Sequence, residues 1–170
     1  MSEANKNPNF DELVVEYQDK IYNLCYRFMG NHHDANDCAQ DTFVKAFKSL
    51  KTFRGDAAIS TWLYRIAVNT CKNKLSSLAY RFRKLTVAPV EIKDDSQSPE
   101  VQFEKDEKGR LIQKAIDSLP NDHKTVVVLR DVEELSYEEI AKVTGYNIGT
   151  VKSKLARARG RLREKLEGQV

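Results

Sequence analysis

SYEEIAKVTGYNIGTVKSKLARARGRLREKL, residues 136–166, is the stretch that decides the fold, and it begins with the capping-box pattern of Ser136 and Glu139. Gly145 marks the end of this first helix, because glycine readily adopts the left-handed conformation found at helix ends. Asn147 can cap a second helix, whose apolar positions recur every three or four residues. Those positions are Val151, Leu155, Ala158, Leu162 and Leu166. The stretch therefore predicts a helix-turn-helix with a long second helix.

Basic residues cover the rest of the second predicted helix, where Glu164 is the only acidic residue between positions 152 and 165. They are Lys152, Lys154, Arg157, Arg159, Arg161, Arg163 and Lys165. A helix with one buried side and a cationic remainder suits the major groove of DNA and its phosphates. A merely solvated basic surface is the alternative, but the capped first helix, the glycine turn and the TVKSKL beginning favour DNA binding.

The composition indicates a helical protein of one domain or two small ones. Of the 170 residues, 31% are charged and 41% are hydrophobic, and the scarcity of glycine, proline and β-branched alternation favours an all-α fold. A net charge of +3 excludes a histone-like polycation.

Cys25, Cys38 and Cys71 lack CxxC spacing, which predicts buried thiols in a reducing cytosol. Without a long apolar run or an N-terminal signal pattern, we expect a cytoplasmic protein with no membrane insertion.

The N-terminal part of the chain predicts three helices. Apolar residues repeat at helical spacing between positions 10 and 28, and Gly30 ends that helix. A second helix, capped by Asp34, is predicted to run to about residue 50. Its predicted buried side consists of Ala35, Cys38, Ala39, Phe43 and Phe47. A third helix is predicted to start at Ser60 or Thr61.

A group of potential metal ligands lies at the junction of the first two predicted helices. It contains His32, His33, Asp34, Asp37 and Cys38. Adjacent histidines point in different directions, and no second ligand cluster lies elsewhere in the sequence. We therefore interpret these residues as surface polar groups at a helix junction and expect no metal.

The third predicted helix combines aromatic residues with Arg, Lys and Asn. Trp62 and Tyr64 offer flat rings for base stacking, while the neighbouring cations and amides suit phosphates and base edges of single-stranded nucleic acid. Aromatic residues on an amphipathic helix more often belong to a hydrophobic core. The residues alone allow both interpretations, but they favour a place for Trp62 and Tyr64 in the hydrophobic core over a role in binding nucleic acid.

Residues 85–105 predict a flexible linker, since they include two prolines, polar tracts and an excess of acid. The predicted domains are therefore residues 1–84 and residues 106–170. In the second domain, Pro120 stops one helix and Asn121 or Asp122 can cap the next. Four consecutive apolar residues at 126–129 also fit a strand, but their helical neighbours and the absence of a partner strand favour a buried helix.

Two stretches together resemble bacterial RNA polymerase sigma factors of the extracytoplasmic-function (ECF) group, which includes sigma-E. They are DCAQDTFVKAFKSLKTFRGDAAISTWLYRIAVNTCKNKL at 37–75 and LPNDHKTVVVLRDVEELSYEEIAKVTGYNIGTVKSKLARAR at 119–159. The resemblance extends from about residue 10 to residue 165. It implies an all-α fold of two small domains, a region 2 helical bundle and a region 4 helix-turn-helix.

The resemblance implies a promoter-specificity subunit that opens DNA for transcription initiation. In region 2, Asp37, Gln40 and Asp41 would bind the clamp helices of the largest subunit of core RNA polymerase. The melted non-template strand of the −10 element would be held by Phe53, Asn69 and Asn73. An extruded base held in a pocket offsets part of the cost of unstacking.

In region 4, the resemblance implies that the second helix of the helix-turn-helix binds the −35 element. Base contacts would come from Lys152, Ser153, Ala156 and Arg157, and phosphate contacts from Arg130 and Arg159. The rest of the domain would dock on the flap of the second-largest polymerase subunit. Lysine at 152 cannot make the two-pronged contact of arginine with guanine, so base recognition there would be looser. An anti-sigma factor is a further partner that the family implies.

Three other classes of function are possible for this sequence, and the residues favour them less. A stand-alone helix-turn-helix regulator would normally dimerise, but the sequence contains no recognisable dimerisation helix. The first domain would also have no role in such a regulator. A protein-binding helical module would use the basic helix to bind an acidic partner. An enzyme is disfavoured, because no phosphate loop, metal cluster or nucleophile–base pair is present, and we expect no cofactor.

Overall fold

The computed structural model describes residues 8–77, 82 and 107–168, and it confirms the all-α prediction. Within these ranges seven α-helices form, and we number them in chain order. They are α1 Phe10–Met29, α2 His32–Ser49, α3 Ile59–Ser76, α4 Glu107–Asp117, α5 Asn121–Val127, α6 Tyr137–Thr144 and α7 Ile148–Glu167. A 3-10 turn, Leu50–Thr52, follows α2, and a π-helical turn, Val128–Val132, follows α5.

Helices α1–α3 form the N-terminal unit, a three-helix bundle. Its centre contains Leu24, Phe28 and Leu63, each fully buried. Gly30 ends α1 in the left-handed conformation, with φ of +76°, as the sequence predicted. Such a bundle buries one apolar stripe from each amphipathic helix, which is the source of most helix stability in a protein.

Three details of the N-terminal unit differ from the sequence predictions. The cap of α2 is Asn31, whose side-chain oxygen accepts the backbone N–H of Asp34 at 2.9 Å, so Asp34 lies in the first turn. Phe47 is 62% exposed, because it lies at the edge of the bundle, where the ring of Phe10 covers one side of it. Helix α3 begins at Ile59, before the two predicted starting residues, and has no side-chain cap.

Helices α4–α7 form the C-terminal unit, which contains the predicted helix-turn-helix in α6 and α7. The Ser136 hydroxyl accepts the Glu139 N–H at 3.1 Å, and the Ser136 N–H donates to the Glu139 carboxylate at 2.8 Å. Gly145 has φ of +79° and ends α6, while Asn147 caps α7. The buried apolar run at 126–129 is helical, as predicted. Helix α5 begins directly after Pro120 without a side-chain cap, so the predicted cap there is wrong.

The capping box of α6 gives a first testable prediction. Ser136→Ala removes one hydrogen bond to an otherwise unpaired N–H of the first turn, so we expect a loss of about 1 kcal/mol in unfolding free energy. Chemical denaturation followed by circular dichroism measures this loss. Ser76→Ala, at the exposed end of α3, is the matched control and should leave stability unchanged. Equal stability of the Ser136 variant and the control would show that the box contributes nothing.

The two units pack against each other rather than standing apart. One hydrophobic core cluster includes Phe28 and Leu63 of the N-terminal unit together with Leu129 and Ile140 of the C-terminal unit. Helix α3 contacts α6, and α1 contacts both α4 and the π-helical turn. The predicted linker at 85–105 lies outside the described residues, and the domain boundaries stay a prediction.

Cys25, Cys38 and Cys71 are fully buried between α1, α2 and α3, as the sequence predicted. Hydrogen bonding to Cys71 and burial raise the pKa of Cys38. Hydrogen bonding to Cys25, together with burial, raises the pKa of Cys71. A thiol with a raised pKa and no exposure is a poor nucleophile, so these two residues act as core packing groups.

Among the described helices, none has the length and apolarity needed to cross a lipid bilayer.

Candidate nucleic-acid interface

Helix α7 has one buried side and one open side. Val151, Leu155 and Ala158 are buried and hold the helix against α5. The four residues predicted to contact −35 bases all belong to the open side. They are Lys152 and Ser153 and, one turn later, Ala156 and Arg157, and all four are exposed. Their spacing of four residues places them on one side of the helix, with the geometry that a major groove accepts.

A cation–aromatic cluster lies beside this open side. The ring of Tyr137, at the start of α6, has the Arg130 guanidinium 4.7 Å and the Lys152 ammonium 5.6 Å from its centroid. Arg130 is partly buried and also donates a hydrogen bond to the Leu135 carbonyl at 2.8 Å. Arg130 therefore supports the loop before α6 in this structure. Sequence reasoning missed Tyr137, although its place directly after the cap Ser136 puts it in the first turn of the helix-turn-helix.

Two basic residues of α7 are engaged in ion pairs within the C-terminal unit. Arg159 donates two hydrogen bonds to Asp131, at 3.1 and 2.5 Å, and these bonds raise the pKa of the guanidinium. Lys154 donates to Asp122 at 2.5 Å, and this bond lowers the pKa of the carboxyl. The Arg159 guanidinium is therefore engaged by the Asp131 carboxylate in this structure.

The residues predicted to bind the −10 strand lie on and beside α3. Asn69 and Asn73 are exposed and one turn apart, so they share a side of the helix. Arg65 lies one turn before Asn69 and is exposed as well. Sequence reasoning missed Arg65, which the helical spacing of four residues would have found.

The aromatic pair beside that side is formed by Phe53, in the loop before α3, and Trp62. Their ring centroids are 5.3 Å apart, and both rings are only partly buried. The structure therefore brings Phe53 to the N-terminal end of the surface that carries Asn69 and Asn73. A flat ring next to amides and a cation is the combination that stacks and hydrogen-bonds an unpaired base.

The residues predicted to bind polymerase lie on the outer side of α2. Gln40 and Asp41 are exposed, while Asp37 is half-exposed and pairs with Lys74 at 3.2 Å. Val44, 51% exposed, and Phe47 follow at helical spacing and extend the surface. We call Gln40, Asp41, Val44 and Phe47 the α2 surface. Sequence reasoning missed its apolar half, because it assigned Phe47 to the core.

An apolar groove between α1 and α2 borders the α2 surface. It is lined by Phe10, Asp11, Val14, Gln18, Asp19, Tyr22, Asn36, Ala39, Gln40, Phe43, Val44 and Phe47. Exposed apolar side chains in a groove with acidic neighbours are typical of a protein–protein contact. The α2 surface is therefore suited to a protein partner that presents apolar and basic side chains.

Three of the five potential metal ligands at the start of α2 form an ion-pair network with Lys74: His33, Asp34 and Asp37. The Lys74 ammonium lies 3.5 Å from the Asp34 carboxylate and 3.2 Å from that of Asp37. His33 lies 3.6 Å from Asp37, and its ligand atom is within 4.8 Å of both carboxylates. Because the Lys74 ammonium contacts both carboxylates and compensates one of their two negative charges, this arrangement disfavours a cation there.

Comparison with known proteins matches both units of the chain to one family. Residues 13–81 match the model of Sigma-70 region 2, and residues 109–162 match the model of Sigma-70 region 4. The RNA polymerase sigma-H factor of Pseudomonas aeruginosa is 42% identical over 161 residues, which cover 88% of this chain and 82% of that protein. The ECF RNA polymerase sigma-E factor of Haemophilus influenzae is 37% identical over 166 residues, with 93% and 87% covered.

Solved structures agree with this fold. CnrH in complex with the cytosolic domain of CnrY has a TM-score of 0.71 and 24% identity, covering 95% of this chain and 89% of that one. The sigma factor RpoE of Bartonella quintana, in complex with the anti-sigma factor NepR, has a TM-score of 0.69 and 23% identity, covering 95% and 98%. The chain therefore belongs to the sigma-70 family of RNA polymerase sigma factors and resembles its ECF members.

Proposed function

We propose that this chain is a promoter-specificity factor that binds core RNA polymerase, recognises −10 and −35 elements and promotes DNA opening. Residues 1–84 would bind polymerase and the −10 strand, residues 106–170 would bind the −35 element, and residues 85–105 would link them. The open side of α7 carries this proposal, because it presents four adjacent exposed residues on a helix whose other side is fixed in the core.

The assignment of roles follows from which side chains are accessible. Lys152, Ser153, Ala156 and Arg157 would contact −35 bases, since all four side chains are exposed. Arg159 would contact a phosphate after leaving Asp131. Arg130 would act mainly through the loop that it supports. Phe53, Asn69 and Asn73 would hold the melted −10 strand.

The partners of the chain are proteins and DNA. Asp37, Gln40 and Asp41, with the apolar half of the α2 surface, would bind the clamp helices of the largest polymerase subunit. The C-terminal unit would dock on the flap of the second-largest subunit. We propose control by an anti-sigma factor, since RpoE of Bartonella quintana was solved with one. The chain would act in the cytoplasm and would catalyse no reaction itself, because the polymerase forms the phosphodiester bonds.

Co-elution with core polymerase distinguishes a polymerase specificity subunit from a stand-alone helix-turn-helix regulator. Purified chain and core enzyme are passed through a size-exclusion column, and duplex DNA binding by the chain alone is measured in parallel. We expect a stoichiometric complex with core enzyme and weak, salt-sensitive duplex binding by the chain alone. A chain that dimerises, binds duplex DNA tightly and does not bind core enzyme would instead be a helix-turn-helix regulator.

The Asp131–Arg159 pair gives a second testable prediction. Asp131→Asn removes the carboxylate that competes with phosphate, so we expect duplex DNA of any sequence to bind about threefold more tightly at low salt. The slope of the logarithm of the binding constant against the logarithm of the salt concentration should steepen by about 1. Fluorescence anisotropy at several salt concentrations measures both quantities.

A control separates this effect from a general change in charge. Glu12→Gln makes the same chemical change at an exposed position of α1, outside the proposed interface, and should leave binding unchanged. Weaker binding by the Asp131 variant would show that Asp131 positions Arg159 instead of competing with DNA.

A further inference from the structure

A cavity of about 500 Å³ lies between the N-terminal and C-terminal units. The loop after α2 and the first turns of α3 line it from one unit, and α6 with its terminal Gly145 lines it from the other. Sites that hold small molecules have volumes of about 300–1,000 Å³. We call this space the inter-unit cavity. The lining residues that matter for binding are Phe53, Arg54, Thr61, Trp62, Arg65 and Lys142.

Aromatic rings form part of the wall of the inter-unit cavity. The ring centroids of Phe53 and Trp62 are 5.3 Å apart, with the ring planes inclined by 51°. The C-terminal unit contributes Ala141 and Gly145, which are small. A Cβ atom added to Gly145 would meet no atom within 4 Å, so there is open space beside it. A flat aromatic ligand therefore has room to stack against Phe53 or Trp62.

The beginning of α3 supplies hydrogen-bond donors beside these rings. Helix α3 has no side-chain cap, and no acidic residue lies in its first turn. The first N–H groups of a helix lack helical partners and carry the positive end of the helix dipole, which attracts anions. Ala57, just before α3, and Thr61, in its first turn, both line the cavity. The uncapped helix end therefore lies at the cavity.

Thr61 adds a buried hydroxyl to this helix end, since the residue is only 7% exposed. The carbonyl four residues earlier belongs to Ala57, outside α3, and among the described residues the Thr61 hydroxyl has no hydrogen-bond partner. Burial of a hydroxyl is costly without a partner, so Thr61 favours a ligand that forms a hydrogen bond there. Four other threonines of the described helices do donate to the carbonyl four residues earlier. They are Thr42, Thr70, Thr125 and Thr144.

Three cationic side chains also line the inter-unit cavity. Arg54, Arg65 and Lys142 are all exposed, and in the part of the chain that the structure describes none of them forms an ion pair. Asp56 is the one acidic residue among the described lining residues, so three cations and one carboxylate leave a net charge of two positive charges. Cations without acidic partners, beside a helix N-terminus, favour a ligand that bears phosphate.

We propose that the inter-unit cavity binds a free nucleoside phosphate with two or more negative charges. Its base would stack against Phe53 and Trp62. Its phosphates would accept hydrogen bonds from the Thr61 hydroxyl and from the first N–H groups of α3. Arg54, Arg65 and Lys142 would compensate its charge. Neither a bare phosphate nor an uncharged nucleoside would use both the aromatic wall and the cations.

Binding of this ligand would oppose promoter opening. Phe53 belongs to the residues proposed to hold the melted −10 strand, so a nucleotide stacked on its ring would compete with that strand. This consequence rests on the proposed function, whereas the binding site itself rests only on the residues that line the cavity. The two parts are therefore tested separately.

Equilibrium dialysis of the full chain against guanosine diphosphate and adenosine diphosphate tests the site. Guanosine and pyrophosphate, dialysed in parallel, represent the two halves of the ligand. We expect each diphosphate to bind saturably, one per chain, and about tenfold more tightly than either half, because each half uses only part of the cavity. Trp62, the single tryptophan of the chain, should show saturable quenching at the same concentrations.

Two variants and a control locate the bound nucleotide. Thr61→Val removes the hydroxyl and keeps a side chain of similar shape, and Lys142→Ala removes an exposed cation of the other unit. Each should weaken diphosphate binding about fivefold. Lys108→Ala removes an exposed cation of α4 and should bind like the wild type. If circular dichroism shows that Thr61→Val loses helix, Lys142→Ala alone decides the location.

The outcomes of dialysis decide the binding site. Absence of binding would overturn it. Equal affinity for pyrophosphate and the diphosphates, or equal losses in Lys142→Ala and Lys108→Ala, would also overturn it and would indicate general attraction of anions. Tighter binding of the diphosphates, with losses confined to the two cavity variants, is the result that supports the site.

Promoter opening by core polymerase and the chain, measured without nucleotide substrates, tests the competition. Added guanosine diphosphate should reduce opening by the wild type, and Lys142→Ala, which opens promoters normally without the nucleotide, should resist this reduction. Equal sensitivity of the two chains would overturn the competition and place the effect on polymerase. Failure of every chain to open promoters would refute the proposed function, while dialysis would still decide the binding site.

Discussion

Replacing Lys152 and Arg157 by alanine is expected to reduce transcription from promoters that need a −35 element by about 100-fold. Both side chains are exposed on the open side of α7, and each good base contact contributes about 1–3 kcal/mol of discrimination. Because neither residue contributes to the buried stripe of α7, the fold should be retained. Binding to core polymerase should remain within about twofold of wild type, as for other surface changes.

The matched control for this variant lies on the same helix. Arg161→Ala with Lys165→Ala also removes one arginine and one lysine, both exposed, but beyond the proposed contact residues. This control should lose no more than the few-fold affinity expected from a reduced positive field. Loss of core binding in the Lys152 and Arg157 variant would show that α7 contacts polymerase and not the −35 element.

A second large effect is expected at the α2 surface. Asp41→Arg with Val44→Ser reverses one charge and removes one exposed apolar group, three residues apart on the same side of α2. Hot-spot residues at the centre of an interface contribute about 2 kcal/mol or more, so affinity for core polymerase should fall by about 100-fold if the α2 surface is such a centre. Titration of labelled chain with core enzyme measures this affinity. Transcription should fall in parallel at every promoter, with or without a −35 element.

The chain offers a close control for this second variant as well. Glu16→Arg with Val15→Ser makes the same two chemical changes on α1, and Val15 is 73% exposed. The control should bind core polymerase like the wild type. Equal losses in the two variants would refute the assignment of α2 as the polymerase contact and would indicate a general effect of charge.

The helix ends could be predicted because their chemistry is local. The capping box of Ser136 and Glu139, the cap at Asn147 and the left-handed glycine at Gly145 each involve residues no more than four positions apart. The same local reasoning failed at α2, where Asp34 was predicted as the cap but Asn31 caps the helix. Asn31 caps α2 because it lies directly before the first helical residue, where its side chain reaches the N–H groups of the first turn.

Contacts between distant residues could not be predicted from the sequence. Lys124 and Phe28 are 96 positions apart, and a lysine in an apolar stretch gives no indication of which carbonyl will accept its hydrogen bond. The family resemblance implies a phosphate contact for Arg159, but nothing in the sequence revealed its ion pair with Asp131. Phe47 followed the periodicity of the buried side of α2, but whether a side is covered depends on where the neighbouring helices end.

Run-off transcription with a promoter library tests the central claim most directly. Purified core polymerase is supplied with the library, with and without the chain, and the transcripts are sequenced. Chain-dependent transcripts that all start at a fixed distance from two short shared motifs are the predicted result. No chain-dependent transcript, together with no co-elution of the chain with core polymerase, would contradict the account.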